Sequence, residues 1–428
     1  MRYGIIVMGS RGDVQPFISL SIGLMKRGHD VSIIGPENFK EFVEGFNIDF
    51  RPVSTNAEKS IQTPEILKLL KTGNILKFIR HINKITEETG PQLNKEIVKL
   101  SMDCDYLLTS SLTSLLVCCI GEKYNKKVGV VFLSMLMTPT SKFSHAILGS
   151  INLYWLNRFT YKLNNFLWLS LKKSITDFRE TLGLPYKNMM DYYLKSNILT
   201  IYPVSKFLFT QPNDWDSNTH ITGFLSVPNS SRTNHFMEKV PAELEQWLGQ
   251  GEKPIYIGFG SIPIPDPEKM MSIITDILNT SSNRIIFCVG WSVILNLPKH
   301  PNLFIVSSIN HEWLLPQCKV GVIHGGIGTT ASVIKSKIPV VVVSILADQP
   351  YNGKMIEKNK VGIHIPFQKI TTKRLLEGIE RVQSKEYIQN SVNLGNKVNT
   401  EDGENQSLAM EYQIQSIPNM KLFKGGKM

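Results

Sequence analysis

Residues 3–35 read YGIIVMGSRGDVQPFISLSIGLMKRGHDVSIIG. The apolar, β-branched run at 3–8 predicts a buried strand that ends at Gly9. Residues 16–27 predict a helix, with Pro16 in its first turn, where a missing N–H costs nothing, and Gly28 after its end. VSIIG at 31–35 predicts the next strand. Strand, helix and strand in so short a span make a βαβ unit, the building block of a parallel sheet.

The alternation recurs at 106–111 and 128–133. A stretch of turn formers, QPNDWDSNTH and then SVPNSSRTNH, interrupts it. A second series follows, with strands predicted at 254–260, 284–290, 303–308, 320–326 and 340–345. The fold class is therefore α/β, with two doubly wound, Rossmann-like domains. The expected layout is a first domain over 1–225, a linker over 226–240, a second domain over 241–400 and a C-terminal helix and tail over 401–428 that returns to the first domain. Two amphipathic helical stretches, 64–89 and 145–180, interrupt the first domain. Trp155, Phe159, Leu163 and Phe166 share one helical face in the second stretch. That stripe fits either core or the wall of a ligand crevice.

The chain has 428 residues, a net charge of +11 and a pI of about 9.2. Such a charge suits an anionic partner or a diffuse solvated surface. No zinc spacing or arginine-rich tract supports nucleic acid. The five cysteines form no C-x-x-C and most lie in apolar surroundings, which argues for a reducing compartment. No apolar run is long enough to span a bilayer, and the N-terminus has no signal-peptide pattern. The expected location is the cytoplasm, with peripheral membrane contact through lysines beside apolar segments.

Two loops carry the chemistry. HGGIGTT, His324 to Thr330, follows a strand and opens a helix. Its glycines let backbone approach a ligand, and free amides at a helix start suit a diphosphate. ADQPYNG at 347–353 follows the next strand. Asp348 and Gln349 there offer acceptors and donors for sugar hydroxyls, although Asp348 also fits a helix cap. Asp13, in GSRGDVQPF, reads either as a cap or as a base.

GSRGDVQPF, IGFGS at 257–261, NHEWLLPQCKVGVIHGGIGTT at 310–330 and ADQPYNG, in that order, resemble the nucleotide-sugar-dependent glycosyltransferases of the GT-B fold. The pattern is similar to the branch holding sterol glucosyltransferases and the enzymes that glycosylate antibiotic aglycones. The resemblance implies that His324, Gly326, Gly328, Thr329, Thr330 and Ser261 hold the diphosphate, while Asp348 and Gln349 hold the sugar. It implies a nucleobase near Ile309 and His311, with Trp291 as a wall or as core packing. Asn310 and Glu312 depart from the family's proline and aspartate, and Ile323 replaces the first of its paired histidines. Asp13 is the implied base, with Ser10 and Arg11 facing the leaving diphosphate. His29 lies beyond the first helix, too far along for that role.

The implied enzyme is an inverting, metal-independent hexosyltransferase. It moves a hexose, most simply glucose, from a UDP-sugar to a hydroxyl of a lipophilic acceptor such as a sterol, polyketide, flavonoid or lipid. Trp155 and Phe159 are candidate acceptor walls. No cofactor is expected; the UDP-sugar is a co-substrate. Asp103-Cys104-Asp105 has the D-x-D metal spacing but precedes its strand, at the wrong end for the crevice. A nucleotide-sugar epimerase of the same fold and a non-catalytic donor-binding protein are the competing readings.

Overall fold

The structure, a computed structural model, describes residues 1–72, 75–135, 137–145, 154–227, 240–294 and 298–409. Seven strands form the first sheet: β1 (Arg2–Ile6), β2 (Asp30–Pro36), β3 (Asp49–Val53), β4 (Tyr106–Ser110), β5 (Lys127–Val131), β6 (Leu199–Tyr202) and β7 (Thr219–Ile221). They lie in the order β3-β2-β1-β4-β5-β6-β7. Six strands form the second sheet: β8 (Ile255–Gly258), β9 (Ile285–Cys288), β10 (Leu303–Val306), β11 (Val320–Ile323), β12 (Val340–Ser344) and β13 (Gly362–Pro366), in the order β10-β9-β8-β11-β12-β13. Every pairing between them is parallel. Each order reverses direction once, between β1 and β4 and between β8 and β11. Those switch points are where open α/β sheets form crevices at their carboxyl ends.

The strands read from β-branched runs are present; most end earlier than expected, while β2 runs one residue longer at each end. β12, Val-Val-Val-Val-Ser, is buried along its whole length, as a strand covered on both faces must be. β3, β6, β7 and β13 were not anticipated. β3 is Asp49-Phe50-Arg51-Pro52-Val53, too polar to register as an apolar run.

The first helix runs from Arg11 to Lys26, so the expected start at 16 is corrected. Pro16 sits inside the helix rather than in its first turn. A proline there forfeits the bond to the Gly12 carbonyl. A capping box at Ser10 and burial of Val14, Pro16 and Phe17 offset that loss. The stretch expected over 64–89 is two helices, Pro64–Thr72 and Ile75–Ser101. The one expected over 145–180 holds helices Tyr154–Thr160 and Leu163–Thr181.

Most of the 226–240 segment lies outside the described residues, as does the tail from 410. Helix Gly403–Ala409 packs on helix Arg11–Lys26, where Leu408 and Glu404 meet Gly23 and the Leu408 carbonyl accepts from Arg27, 2.7 Å. The two domains also meet directly, through helix Pro64–Thr72. Ile66 and Leu70 belong to the apolar cluster of the second sheet, and Lys71 pairs with Asp266 at 3.0 Å.

Candidate functional site

The loops after β8, β11 and β12 converge at the second switch point. His324, 7% exposed, follows β11. Its ring lies so close to Gly260 and Gly326 that a Cβ on Gly326 would collide with its Nε2. Gly325 has φ +90°, a conformation that other residues rarely adopt. Burial, with a smaller push from His311, drives the His324 pKa down to about 4. The ring is therefore neutral at physiological pH and has one N–H to donate.

Helix Ile327–Lys335 starts beside it, with Gly326 as N-cap, no side chain capping it and no acid in its first turn. The first bond of its backbone ladder runs from Thr330 N–H to the Gly326 carbonyl, 2.9 Å. The amides of Ile327, Gly328 and Thr329 thus have no acceptor within the helix. His324 Nδ1 and Thr330 Oγ1 are buried and find no partner among the described residues. Buried polar atoms without partners are rare, and two beside an uncapped helix start fit an anionic ligand. Ser261 sits in the turn after β8, next to Gly260 at φ +63°.

After β12 the chain passes Ala347 at φ +58°, a strained conformation for a residue with a Cβ. Asp348 occupies the N-cap position of helix Gln349–Lys358, but its side chain does not cap. The cap reading of Asp348 is corrected on that point. Its Oδ2 instead accepts from Asn352 Nδ2 at 3.0 Å. The same Nδ2 donates to the Gly325 carbonyl at 2.9 Å, so Asn352 ties this loop to the His324 loop. Gln349 is buried, and its Oε1 accepts the Ile345 and Leu346 amides at 2.7 and 3.2 Å. Only its amide N–H groups are left to reach a sugar. Burial, opposed by the Asn352 hydrogen bond and helped by a smaller push from the Asp13 charge, raises the Asp348 pKa to about 6. Asp13 and Asp348, from different domains, therefore lie within electrostatic reach of one another.

Asp13 is the third residue of its helix. Its Oδ2 accepts the Ser10 amide at 2.7 Å and the Ser10 hydroxyl at 3.0 Å. Burial raises its pKa, and the two Ser10 bonds pull the other way. Both bonds fall on one oxygen, so Asp13 closes the capping box and keeps Oδ1 for other work. Ser10 is committed to Asp13. The Arg11 guanidinium stacks on Phe42, 4.6 Å from the ring centroid. Neither arrangement favours the diphosphate role expected for Ser10 and Arg11. His29 packs on Tyr3 at the opposite end of β1. The D-x-D carboxylates are engaged at that end too. Asp103 holds Arg51 at 2.6 and 3.0 Å, and Asp105 accepts the Arg2 amide at 2.8 Å.

Ile309 is buried, and His311 Nε2 shares a 2.8 Å hydrogen bond with Tyr256. Asn310 caps helix His311–Leu314 by accepting the Glu312 amide at 2.9 Å. The asparagine that departs from the family's proline thus has a local role. Trp291 stacks on Phe39, centroids 6.2 Å apart, and its carbonyl accepts from Gln62 at 2.9 Å. Trp291 therefore bridges the two sheets. Trp155 and Phe159 are 77% and 58% exposed, so the core reading of that stripe is corrected.

Asn352 escaped the sequence reading, though its four-residue spacing from Asp348 on a helix was a usable signal. Tyr351 was missed as well. It lies near Phe143 and Phe209 of the first domain, centroids 6.2 and 6.0 Å away, so the 347–353 loop touches the first domain.

Residues 3–100 match the glycosyltransferase family 28 N-terminal domain, and residues 291–404 match the erythromycin biosynthesis protein CIII-like C-terminal domain. A sterol 3-beta-glucosyltransferase of Arabidopsis thaliana is 31% identical over 94% of this chain and 64% of its own length. The fold is GT-B, and the sequence is similar to those of sterol glucosyltransferases. It spans less than two-thirds of the length of that relative, and 34% of the sterol 3-beta-glucosyltransferase of Komagataella phaffii. The kitacinnamycin glycotransferase shares the GT-B fold, with TM-score 0.66 at 15% identity over 97% of this chain and 99% of its own. So does the Streptomyces glycosyltransferase SsfS6 complexed with thymidine diphosphate, with TM-score 0.60 at 17% identity over 96% and 99%.

Proposed function

We propose that the chain is an inverting glycosyltransferase that moves a hexose, glucose in the simplest case, from a UDP-sugar to a hydroxyl of a lipophilic acceptor. The observation that supports this most is a helix start with no acid or cap, flanked by the buried, unpartnered His324 Nδ1 and Thr330 Oγ1, with Asp348 and Asp13 in electrostatic reach of each other. The diphosphate binds the amides of Ile327 to Thr329, the Thr330 hydroxyl and neutral His324. Asp348 and the Gln349 amide hold the sugar hydroxyls. The sterol relative supports a sterol-like acceptor and glucose as the sugar.

Asp13 is the general base. An acceptor hydroxyl is a poor nucleophile until its proton leaves, and a positioned carboxylate with raised pKa suits that transfer. The oxygen–anomeric carbon bond forms as the carbon–phosphate oxygen bond breaks. The proton goes to Asp13 and the electron pair to the departing nucleoside diphosphate. Its charge is met by helix amides rather than by a metal. Direct displacement from an α-linked donor yields a β-glycoside.

The test is incubation with UDP-glucose and a panel of sterols and other hydrophobic alcohols, read by mass spectrometry for a hexose adduct. The adduct should persist in excess chelator. Loss of activity on chelation, restored by manganese, would overturn the metal-free step. Hydrolysis or epimerisation of donor with no adduct on any acceptor would overturn the transfer.

A further inference from the structure

Helices Tyr154–Thr160 and Leu163–Thr181 bury Trp168, Ile175 and Phe178 but depart from the usual pattern of a soluble surface helix on both sides. Their buried side also carries polar groups. Asn157, Thr160 and Asn164 are 1%, 8% and 1% exposed. Asn157 donates to the Ser141 carbonyl and Asn164 to the Met137 carbonyl, both at 2.9 Å. The outer side carries Trp155, Phe159, Phe166 and Leu169, at 77%, 58%, 49% and 66% exposure. The link between the helices continues the helical path through tight turns, Tyr161 N–H to the Arg158 carbonyl and Lys162 N–H to the Phe159 carbonyl. The four apolar side chains therefore recur at helical spacing along one outer face.

Cations interleave with them. Arg158, Lys162, Lys172 and Lys173 are all exposed on these helices. Lys162 sits 4.2 Å from the Phe159 ring centroid. The acids that face this set are Asp214, 3.7 Å from Arg158, and Glu87 and Asp177, each 3.6 Å from Lys173. Lys162 and Lys172 have no acid partner in the structure's ion pairs among the described residues. The chain as a whole carries +11. Large apolar side chains set among lysines are the mark of a face that lies in a membrane interface.

We propose that the outer face of these two helices is a docking surface for an anionic lipid bilayer. The aromatic and leucine side chains enter the headgroup boundary while the flanking cations meet anionic headgroups. The proposal stands on this surface alone and does not depend on the reaction.

The test uses the full chain, flotation on vesicles and no donor or acceptor. One set of vesicles is phosphatidylcholine and the other contains about one-third phosphatidylserine. The expected result is binding to the anionic set that weakens with salt. Trp155→Ser with Phe159→Ser should lower the bound-to-free ratio roughly tenfold or more. Lys162→Gln with Lys172→Gln should lower it about fivefold per charge at low salt. All four positions are exposed, so melting temperatures should match the parent, which separates lost docking from lost folding. Binding unchanged in the Trp155/Phe159 variant would overturn the proposal. So would failure of the parent chain to bind anionic vesicles, or a self-association by ultracentrifugation that the aromatic variant abolishes.

Discussion

Two glycine turns in this chain are built to one plan and finish differently. The first runs Ser10-Arg11-Gly12-Asp13 and the second Gly326-Ile327-Gly328-Thr329. Each starts a helix, and each has glycine at the second helical position. The first places a carboxylate at the third position and folds it back on Ser10. The second places a threonine there and leaves the helix start uncapped. A carboxylate satisfies a helix start and repels a second anion. An uncapped start attracts one. On the proposed function, the first turn presents a base and the second receives a phosphate. Asp13 does not have to be either a cap or a base, because its two oxygens divide the work.

The largest way to break that comparison is at its acid. Asp13→Asn should lower the rate of glycosyl transfer about 10²–10⁴-fold, the range for losing a general base. UDP affinity by calorimetry should change little. Normal turnover in this variant would return Asp13 to a purely structural cap.

Next is a substitution that makes the second turn resemble the first. Thr329→Asp puts an acid at the position that Asp13 holds in its own helix. The acid suits the helix itself, so thermal stability should hold or rise slightly. UDP affinity should fall roughly 10–100-fold, the cost of setting a charge against a charged hydrogen-bond acceptor. Unchanged affinity would mean that the diphosphate binds elsewhere.

Asn352 tests the tie between the second turn and the sugar loop. Asn352→Leu removes the bonds to Gly325 and Asp348. Asp348 loses the interaction that holds its pKa down. The donor KM should rise about tenfold. The acid limb of kcat/KM against pH should also move to higher pH, a shift that loose packing alone would not produce.

How far the sequence reached follows from what each signal encodes. Buried parallel strands announce themselves because both faces are apolar, as in β12. β3 and β13 did not, because Arg51, Pro52 and His364 break the apolar run. The first helix was read as starting at Pro16 because proline favours a first turn. Ser10 and Asp13, three apart, carried the stronger start signal. Periodicity put Trp155, Phe159 and Phe166 on one face. It does not say which face is inside, and the Met137 and Ser141 carbonyls claimed the asparagine side. The phosphate turn was legible because glycines, a histidine and threonines are all local. The approach of Asp13 to Asp348 was not, since it depends on how two sheets separated by hundreds of residues dock.

The smallest effect concerns the cost of holding Asp348 ready. Its pKa rises from 3.8 in the free side chain to about 6 in the folded chain. Between those values the folded state binds more protons than the unfolded state, so stability falls as pH rises through that window. Above about pH 6 the loss is constant, about 1–2 kcal/mol once solvent screening is allowed for. Asp348→Asn cannot ionise and should escape that loss. Its melting temperature should exceed the parent's by roughly 2–5 °C at about pH 7 and match it at about pH 4. Its donor KM should rise over the same range in which it gains stability, because the oxygen that burial penalises is the one offered to the sugar. Equal melting temperatures at both pH values would show that Asp348 is not held against its own charge. The raised pKa of Asp13, the lowered pKa of His324 and the positive φ of Ala347 would then be the signs that the cleft is built at the expense of the fold.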